Sequence, residues 1–427
     1  MAEKRAKEIA KFPLGVFTKG KRTFRFYTIL RKGETLLKME SSLNGINFRS
    51  YPRNAEIIGE NGKENISKCK DLKISEIDGK YVLTYLASSE KGTILCTAVS
   101  KDGIHWEKLG AKPSKPISAH VPPAPALKKS AENPILKPDA RHAWESRYVF
   151  NPAAIHEGGK THLVYRAIGE NDVSVFGYAS STDGIHFEER LEKPIYVPTQ
   201  PFETGGNIYS CHAEFMSGGG YGGCEDPRIT KIGDRIYMTY VAFDGSNPPR
   251  VALTSIKVDD FLSKKWNWKK PVLISPPGTV DKNACIFPEK IKDKYVVFHR
   301  IFPNILIDFV DDLEFDGNRY LKGEYAIKPT ENGWDSRKIG VGPPPIKTKD
   351  GWLVIYQAVG DKDPHYRYKI GAMLLDARDP TKVLFRTKEP ILEPSERYEM
   401  EGFKPGVTYP CGAVVIGGDL HVYYGSA

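Results

Sequence analysis

One strand-like unit recurs along the chain, and no other feature limits the fold as strongly. It is a hydrophilic turn followed by a short β-rich run that ends in an aromatic residue. It reads Gly79-Lys80-Tyr81-Val82-Leu83-Thr84-Tyr85, then Gly159-Lys160-Thr161-His162-Leu163-Val164-Tyr165, then Gly233-Asp234-Arg235-Ile236-Tyr237-Met238-Thr239-Tyr240. Further copies end at Phe298, Tyr356 and Tyr424 and a weaker one at Tyr27, so the intervals are 58, 80, 75, 58, 58 and 68 residues. Each interval has room for several short strands. A small sheet cannot bury its apolar face alone, so repeats of this length predict a β-propeller or a similar array. Two other elements recur. The first is Ser42-Leu43-Asn44-Gly45-Ile46-Asn47-Phe48, Ser100-Lys101-Asp102-Gly103-Ile104-His105-Trp106 and Ser181-Thr182-Asp183-Gly184-Ile185-His186-Phe187. Asn-Gly and Asp-Gly between apolar runs predict tight hairpins with φ > 0 at both turn positions. The second is Pro134-Ile135-Leu136-Lys137-Pro138, echoed by Pro390-Ile391-Leu392-Glu393-Pro394, each followed by an aromatic-Glu pair, Trp144-Glu145 and Tyr398-Glu399.

At roughly 150 residues per domain, 427 residues would suggest two or three domains. The repeats give a different division. A stretch holding Pro113, Pro116, Pro122, Pro123 and Pro125 reads as a stiff linker over 112–130. Residues 1–111 then form a basic β-rich accessory region of two blade-like units, and 131–427 a five-bladed β-propeller; the fold class is all-β. The one helix candidate is Ala2–Lys11. The last repeat reaches Tyr424-Gly425-Ser426-Ala427, so the final blade is expected to be incomplete or closed by an N-terminal strand.

Charge and cysteine usage exclude several classes. Residues 1–130 carry 25 Lys/Arg against 13 Asp/Glu, and residues 131–427 carry 37 against 40. No nucleic-acid motif accompanies the basic third, so a solvated lysine-rich surface is expected there and no nucleic-acid partner. No apolar run approaches about 18 residues, and the first residues lack the apolar stretch of a signal peptide. The six cysteines, Cys69, Cys96, Cys211, Cys224, Cys285 and Cys411, form no CxxC pair. No metal site, no membrane and a cytoplasmic location with reduced thiols are expected.

The position after each repeat aromatic is Leu86, Arg166, Val241, His299, Gln357 and Gly425, which puts Arg166 and His299 in matching places of different blades. The densest segment is Gly222-Gly223-Cys224-Glu225-Asp226-Pro227-Arg228. In extended chain the two carboxylates point opposite ways. One is expected to reach a cavity and the other to pair with Arg228. The glycine-rich stretch 201–222 before them reads equally as a mobile lid or as a surface loop.

The ordered motifs Phe150-Asn151-Pro152-Ala153-Ala154, Val164-Tyr165-Arg166-Ala167, Glu225-Asp226-Pro227-Arg228, Asp281-Lys282-Asn283-Ala284, Lys338-Ile339-Gly340 and Tyr409-Pro410-Cys411-Gly412-Ala413 run through all five C-terminal repeats. In these, residues 131–427 resemble glycoside hydrolase family 130, five-bladed β-mannoside phosphorylases and related β-mannosidases. The resemblance implies an inverting phosphorylase that cleaves a β-mannoside with inorganic phosphate to give α-mannose 1-phosphate. It implies Asp226 as general acid, Arg166, Arg250, Lys282 and His299 as phosphate-binding cations, and Asn151, Tyr366 and Asp376 as sugar contacts. Phosphate replaces the water and general base of an inverting glycosidase, so one catalytic carboxyl suffices. Gln357 departs from the family, many of whose members have His there. The expected partners are a β-mannoside disaccharide or oligosaccharide and inorganic phosphate as co-substrate, with no cofactor. A homo-oligomer stays open, as do a phosphate-independent β-mannosidase and a non-catalytic carbohydrate-binding propeller.

Overall fold

The computed structural model describes residues 127–204 and 220–427 without a gap, Phe215 between them, and most of 11–109. The chain divides into two compact units, Met1–Pro122 and Pro123–Ala427. Residues 2–10 of the expected helix and 112–126 of the expected linker lie outside the described residues, and Lys11 opens a strand. Most of the glycine-rich stretch, 205–214 and 216–219, lies outside them too. Among the described residues no helix is long and apolar enough to cross a membrane.

The N-terminal unit holds two sheets. Lys11–Lys19, Arg22–Arg31, Glu34–Ser42 and Arg49–Ser50 make one, and the strands from Glu56–Gly59 to His105–Leu109 make the other. Phe26, Leu37, Met39, Tyr81, Leu83, Tyr85 and Trp106 pack into one core between them.

The second unit is a five-bladed propeller. Blade 1 is Tyr148–Glu157, Lys160–Ile168, Ser174–Ser181 and Glu189–Arg190. Blade 2 is Gly223–Ile232, Arg235–Phe243, Arg250–Lys257 and Val272–Leu273. Blade 3 is Lys282–Ile286, Tyr295–Ile301, Asn304–Val310 and Tyr325–Ile327. Blade 4 splits its first strand into Lys338–Val341 and Ile346–Thr348, then continues through Gly351–Val359, Lys369–Leu375 and Val383–Arg386. Blade 5 has two described strands, Tyr409–Ile416 and Asp419–Gly425. The first strands adjoin in the order blade 5, 1, 2, 3, 4, and the second strand of blade 4 reaches the first strand of blade 5, which closes the ring. Apolar clusters fill the seams between blades.

The repeat aromatic has a structural task. Tyr165 donates to Glu145 (2.8 Å), Tyr356 to Asp335 (2.9 Å), Tyr424 to Glu399 (2.7 Å), and Tyr240 to Glu203. All four carboxylates are buried, and a buried carboxylate is costly unless several donors meet it. Arg190 of blade 1 supplies a cation to Glu145 and caps Lys137 O; Arg386 of blade 4 does the same for Asp335 and Lys328 O. In blade 5 the cation is Lys129, on Glu399 and on Glu393 O, while Leu127 N donates to Ile391 O. Leu127–Ser130 therefore belong to the ring and not to a linker.

Blade 3 corrects the sequence alignment of the repeats. The first strands of blades 1, 2 and 3 each carry a β-bulge, and Tyr165 and Tyr240 sit opposite it, between the pairs Phe150↔Arg166 and Ala153↔Val164 in blade 1 and Glu225↔Val241 and Arg228↔Thr239 in blade 2. In blade 3 the pairs are Lys282↔Arg300 and Cys285↔Phe298, which puts His299 opposite the bulge. His299 replaces the repeat tyrosine, and the residue matching Arg166 is Arg300. A slip of one residue turns every side chain to the other face.

The Asp-Gly turns also differ from expectation. Gly103 and Gly184 have φ of 77° and 76°, but Asp102 and Asp183 are absent from the left-handed residues, so these are not two-residue primed hairpins. Asp183 Oδ1 accepts from Ile185 N and His186 N (both 2.8 Å), and Asp102 does the same for Ile104 and His105 (both 2.8 Å). The aspartate side chain builds the turn and leaves its own backbone unstrained. The Asn44-Gly45 copy lies outside the described residues.

Candidate active site

Three bulges aim three side chains at the propeller centre. Asn151, Asp226 and Asn283 have φ of 50°, 50° and 55°. Left-handed backbone disfavours most residues, and Asn and Asp, with short polar side chains, tolerate it best. The bulge turns each one out of the alternation of its strand. Asn151 Nδ2 donates to Asp226 Oδ1 at 2.7 Å.

Arg166 joins them from the second strand of blade 1. Its Nη1 meets Asp226 Oδ1 at 3.2 Å, its Nη2 meets Glu225 Oε1 at 2.9 Å, and its Nε donates to Ser174 Oγ at 3.0 Å. Lys282 Nζ lies 3.6 Å from Glu225 Oε2. Glu225 thus pairs with Arg166 and Lys282, not with Arg228. Arg228 donates instead to Gly342 O (2.7 Å), Asp226 O (2.9 Å) and Val341 O (3.2 Å), tying blade 2 to blade 4. Burial pushes the Asp226 carboxyl up, but Arg166, Arg228, the Asn151 amide and Lys282 outweigh it and hold the group below the usual carboxylate range.

A second set of cations lies around Tyr368. Lys338 Nζ is 2.6 Å from Tyr368 Oη, and Lys404 Nζ is 4.1 Å from the ring centroid. Arg300 Nε donates to Asn283 Oδ1 at 2.7 Å, and Asn283 Nδ2 donates to Tyr409 Oη. Asn283, Arg300, Lys338, Gln357, Tyr368 and Tyr409 line one small cleft. Among the described residues no carboxylate forms an ion pair with Arg300, Lys338 or Lys404. Burial raises the Tyr368 phenol, but Lys404, Lys338 and Arg300 overcome it and bring it down to about 6. Burial and the neighbouring Lys404 and Arg300 hold Lys338 below the usual lysine value. The Tyr368 direction reports unbalanced positive charge, and the Lys338 direction reports burial first and that charge second.

The other expected residues fall elsewhere. His299 is fully buried, with Nδ1 on Asp281 Oδ2 (2.6 Å) and Nε2 on Asp308 Oδ2 (2.8 Å), so neither ring nitrogen is left for an anion. Burial opposes its protonation, but the two aspartates raise its pKa to about 9. Arg250 donates to Ser275 O and stacks on Tyr320, 5.1 Å from its centroid. Tyr366, at φ 48°, lies under Arg337 (4.5 Å) in the loop before the third strand of blade 4. Asp376 follows the far end of that strand, away from Lys369, and accepts from Arg378 N and Asp379 N (both 2.9 Å). A motif match could not show which end of the strand it occupied. No role was assigned from sequence to Asn283, Arg300, Lys338, Tyr368, Lys404 and Tyr409, although Asn283, Lys338 and Tyr409 stand in the ordered motifs. Aligning the bulge residues, Asn151 with Asp226 and Asn283, would have found the first two. Outside the centre, Asp139, His142 and Glu145 cluster closely enough to hold a metal ion. Arg141 already engages Asp139, and Tyr165, Arg190 and His142 engage Glu145.

A five-bladed propeller with a buried carboxyl and an unbalanced cationic cleft at its centre is the architecture of a carbohydrate-active propeller enzyme. The chain belongs to glycoside hydrolase family 130: the family model, described as beta-1,4-mannooligosaccharide phosphorylase, matches residues 126–427. A 1,2-beta-oligomannan phosphorylase of Thermoanaerobacter sp. (strain X514) is 41% identical over 312 residues, covering 70% of this chain and 94% of that protein. A beta-1,2-mannobiose phosphorylase of the same organism is 40% identical over 314 residues, with the same coverage of 70% and 94%. The crystal structure of a glycosyl hydrolase from Bacteroides ovatus superposes with a TM-score of 0.55 at 24% identity, over 70% of this chain and 90% of that one, and shares the fold.

Proposed function

We infer that this protein is an inverting phosphorylase of β-mannosides, and that its glycosidic bond is β-1,2. The observation that carries the reading is the cleft lined by Arg300 and Lys338, with Lys404 against the Tyr368 ring, which no carboxylate balances among the described residues; its Tyr409 lies under Arg228, which donates to Asp226 O. Such a cleft suits a polyanion that must be held against a neutral sugar. The two similar Thermoanaerobacter phosphorylases, named for β-1,2-mannobiose and 1,2-β-oligomannan, support the linkage.

In the proposed reaction Asp226 gives its proton to the leaving glycosidic oxygen through a sugar hydroxyl. The C1–O bond breaks and a phosphate oxygen attacks C1 from the opposite face. The proton of hydrogen phosphate restores Asp226, so the products are α-mannose 1-phosphate and the free acceptor. Asn151 and Arg166 orient the Asp226 carboxyl. The cations around it favour its ionised form, which cannot donate. Phosphate bound nearby offsets them and raises the carboxyl's pKa, so protonation of the acid follows phosphate binding. Nothing in this scheme requires a cofactor.

The test is to incubate the protein with β-1,2-mannobiose with and without phosphate. α-Mannose 1-phosphate formed only with phosphate supports the reading. Mannose released at the same rate in its absence would establish a hydrolase and overturn it.

A further inference from the structure

Two tyrosines line the cationic cleft, and their hydroxyls keep opposite company. The rings of Tyr368 and Tyr409 lie 5.7 Å apart. Tyr409 Oη accepts from Asn283 Nδ2, and burial holds its phenol above the usual value. Tyr368 Oη lies 2.6 Å from Lys338 Nζ, an ammonium that can only donate, so here the tyrosine oxygen accepts. Lys404 Nζ stands 4.1 Å from the centroid of the same ring, and Arg300 adds its charge from blade 3. The backbone anchors the residue: Tyr368 N donates to Gly406 O (2.9 Å), and Tyr368 O accepts from Thr408 N (3.1 Å) and Thr408 Oγ1 (2.8 Å). The cations beside it in sequence are matched elsewhere, since Arg367 and Lys369 both reach Asp363 and Glu393. Tyr368 thus stands where a counter-ion would, facing Arg300, Lys338 and Lys404 with no carboxylate on them among the described residues. Lys404 is exposed and Arg300 and Lys338 are half-buried, so the cleft reaches the surface.

We propose that Tyr368 is the proton acceptor for the phosphate that enters this cleft: its oxygen gains a proton as phosphate binds, and the new phenol O–H then donates to a phosphate oxygen. This rests on the reading above that phosphate is the ligand. Burial favours the neutral phenol, but Lys404, Lys338 and Arg300 bring it down to about 6, so without phosphate its oxygen carries the negative charge of the cleft at neutral pH. Phosphate placed among the same cations sets a second anion beside the first. Like charges at one site disfavour each other's ionisation, and the weaker acid, the phenol, keeps the proton. If dihydrogen phosphate enters, one of its O–H bonds breaks, the electron pair stays on the ion as hydrogen phosphate, and the phenol O–H bond forms. If hydrogen phosphate enters, the proton comes from solvent. Either way the ion is bound as the dianion, the more nucleophilic form, with one proton left to restore Asp226. Lys338 has three N–H donors and uses one on Tyr368, so two remain for the ion.

The test is calorimetric titration of inorganic phosphate into the full chain and into Tyr368→Phe, which keeps the ring, at pH 8 in two buffers of different ionisation heat. The wild type should take up about one proton more per phosphate than the variant, Asp226 being common to both. Affinity should also cross over. Tyr368→Phe should bind phosphate at least about threefold more weakly at pH 5.5, where it lacks a donor, and at least about threefold more tightly at pH 8, where it lacks a negative neighbour. A residue that only shaped the cleft would give weaker binding at both. In the wild type alone, tyrosinate absorption at pH 8, well below the ordinary tyrosine value of about 10, should be present without phosphate and disappear on saturation. That measurement needs no variant to fold. Equal proton counts, a change in the same direction at both pH values, or an absorption that is absent at the start or unmoved by phosphate overturns the proposal. No binding of phosphate at all overturns the phosphorolysis reading with it, so the two failures are told apart.

Discussion

Two groups of cations meet at the centre of the propeller, and they are in opposite electrical states. Arg166 and Lys282 lie on Glu225 and Asp226 and are balanced by them. Arg300, Lys338 and Lys404 surround Tyr368 without a carboxylate among the described residues. A balanced cation fixes geometry, because its donors are already committed. An unbalanced one keeps its donors and its field for a ligand. The same residue type therefore does different work in two parts of one propeller. Counting arginines and lysines near a site would miss the distinction.

The comparison can be broken at either end. The largest effect is expected at the acid the balanced group holds. Asp226→Asn should lower kcat for phosphorolysis by about 10³-fold, since a positioned general acid contributes roughly 10²–10⁴; unchanged turnover would remove Asp226 from the chemistry. His299 is a second balanced cation and should report in stability. Its pKa is raised to about 9 from an ordinary 6.5, so its stabilisation is present below about 6.5 and is lost as pH rises through about 9. The loss should be on the order of 3 kcal/mol, visible in denaturant titrations at pH 6 and pH 9.5. His299→Gln should flatten the difference. Lys338→Ala sharpens the other end. Removing one unbalanced cation should raise the KM for phosphate about tenfold or more, the scale of one charged hydrogen bond, and leave binding of mannoside little changed. Arg250→Ala, on Ser275 O, should raise it less. The smallest effect is expected at Asp376, whose change to Asn should leave kcat/KM within about twofold, because its side chain serves only its own turn.

Much of the architecture could be read in the chain because a blade repeats. Tyr165, Tyr240, Tyr356 and Tyr424 were visible as the ends of strands, and Trp144-Glu145 and Tyr398-Glu399 already marked two of the buried carboxylates. What spacing could not supply was register. Phe298 is aromatic and in step with the other repeats, yet the hydrogen-bond ladder gives that place to His299. The slip paired Arg166 with the wrong residue and hid Arg300. The same limit applies to Glu225. Alternation along a strand separates it from Asp226, but only the bulge decides that both meet Arg166. Tyr368 sits in an isolated bridge to Val407 just before a strand, and Lys404 in a bend, so neither falls in the period of the repeats.

The tie between Lys129 and Glu399 joins residues 270 apart in sequence. Closing a flexible loop of that size costs about 5 kcal/mol in chain entropy, which no single ion pair repays. On the ribosome, Lys129 is made long before its partner exists, so blade 1 must wait with one flank bare until blade 5 arrives. Folding of the ring is therefore a late, collective event, and the seam between the first and last blades is the place where a protease would first find it open.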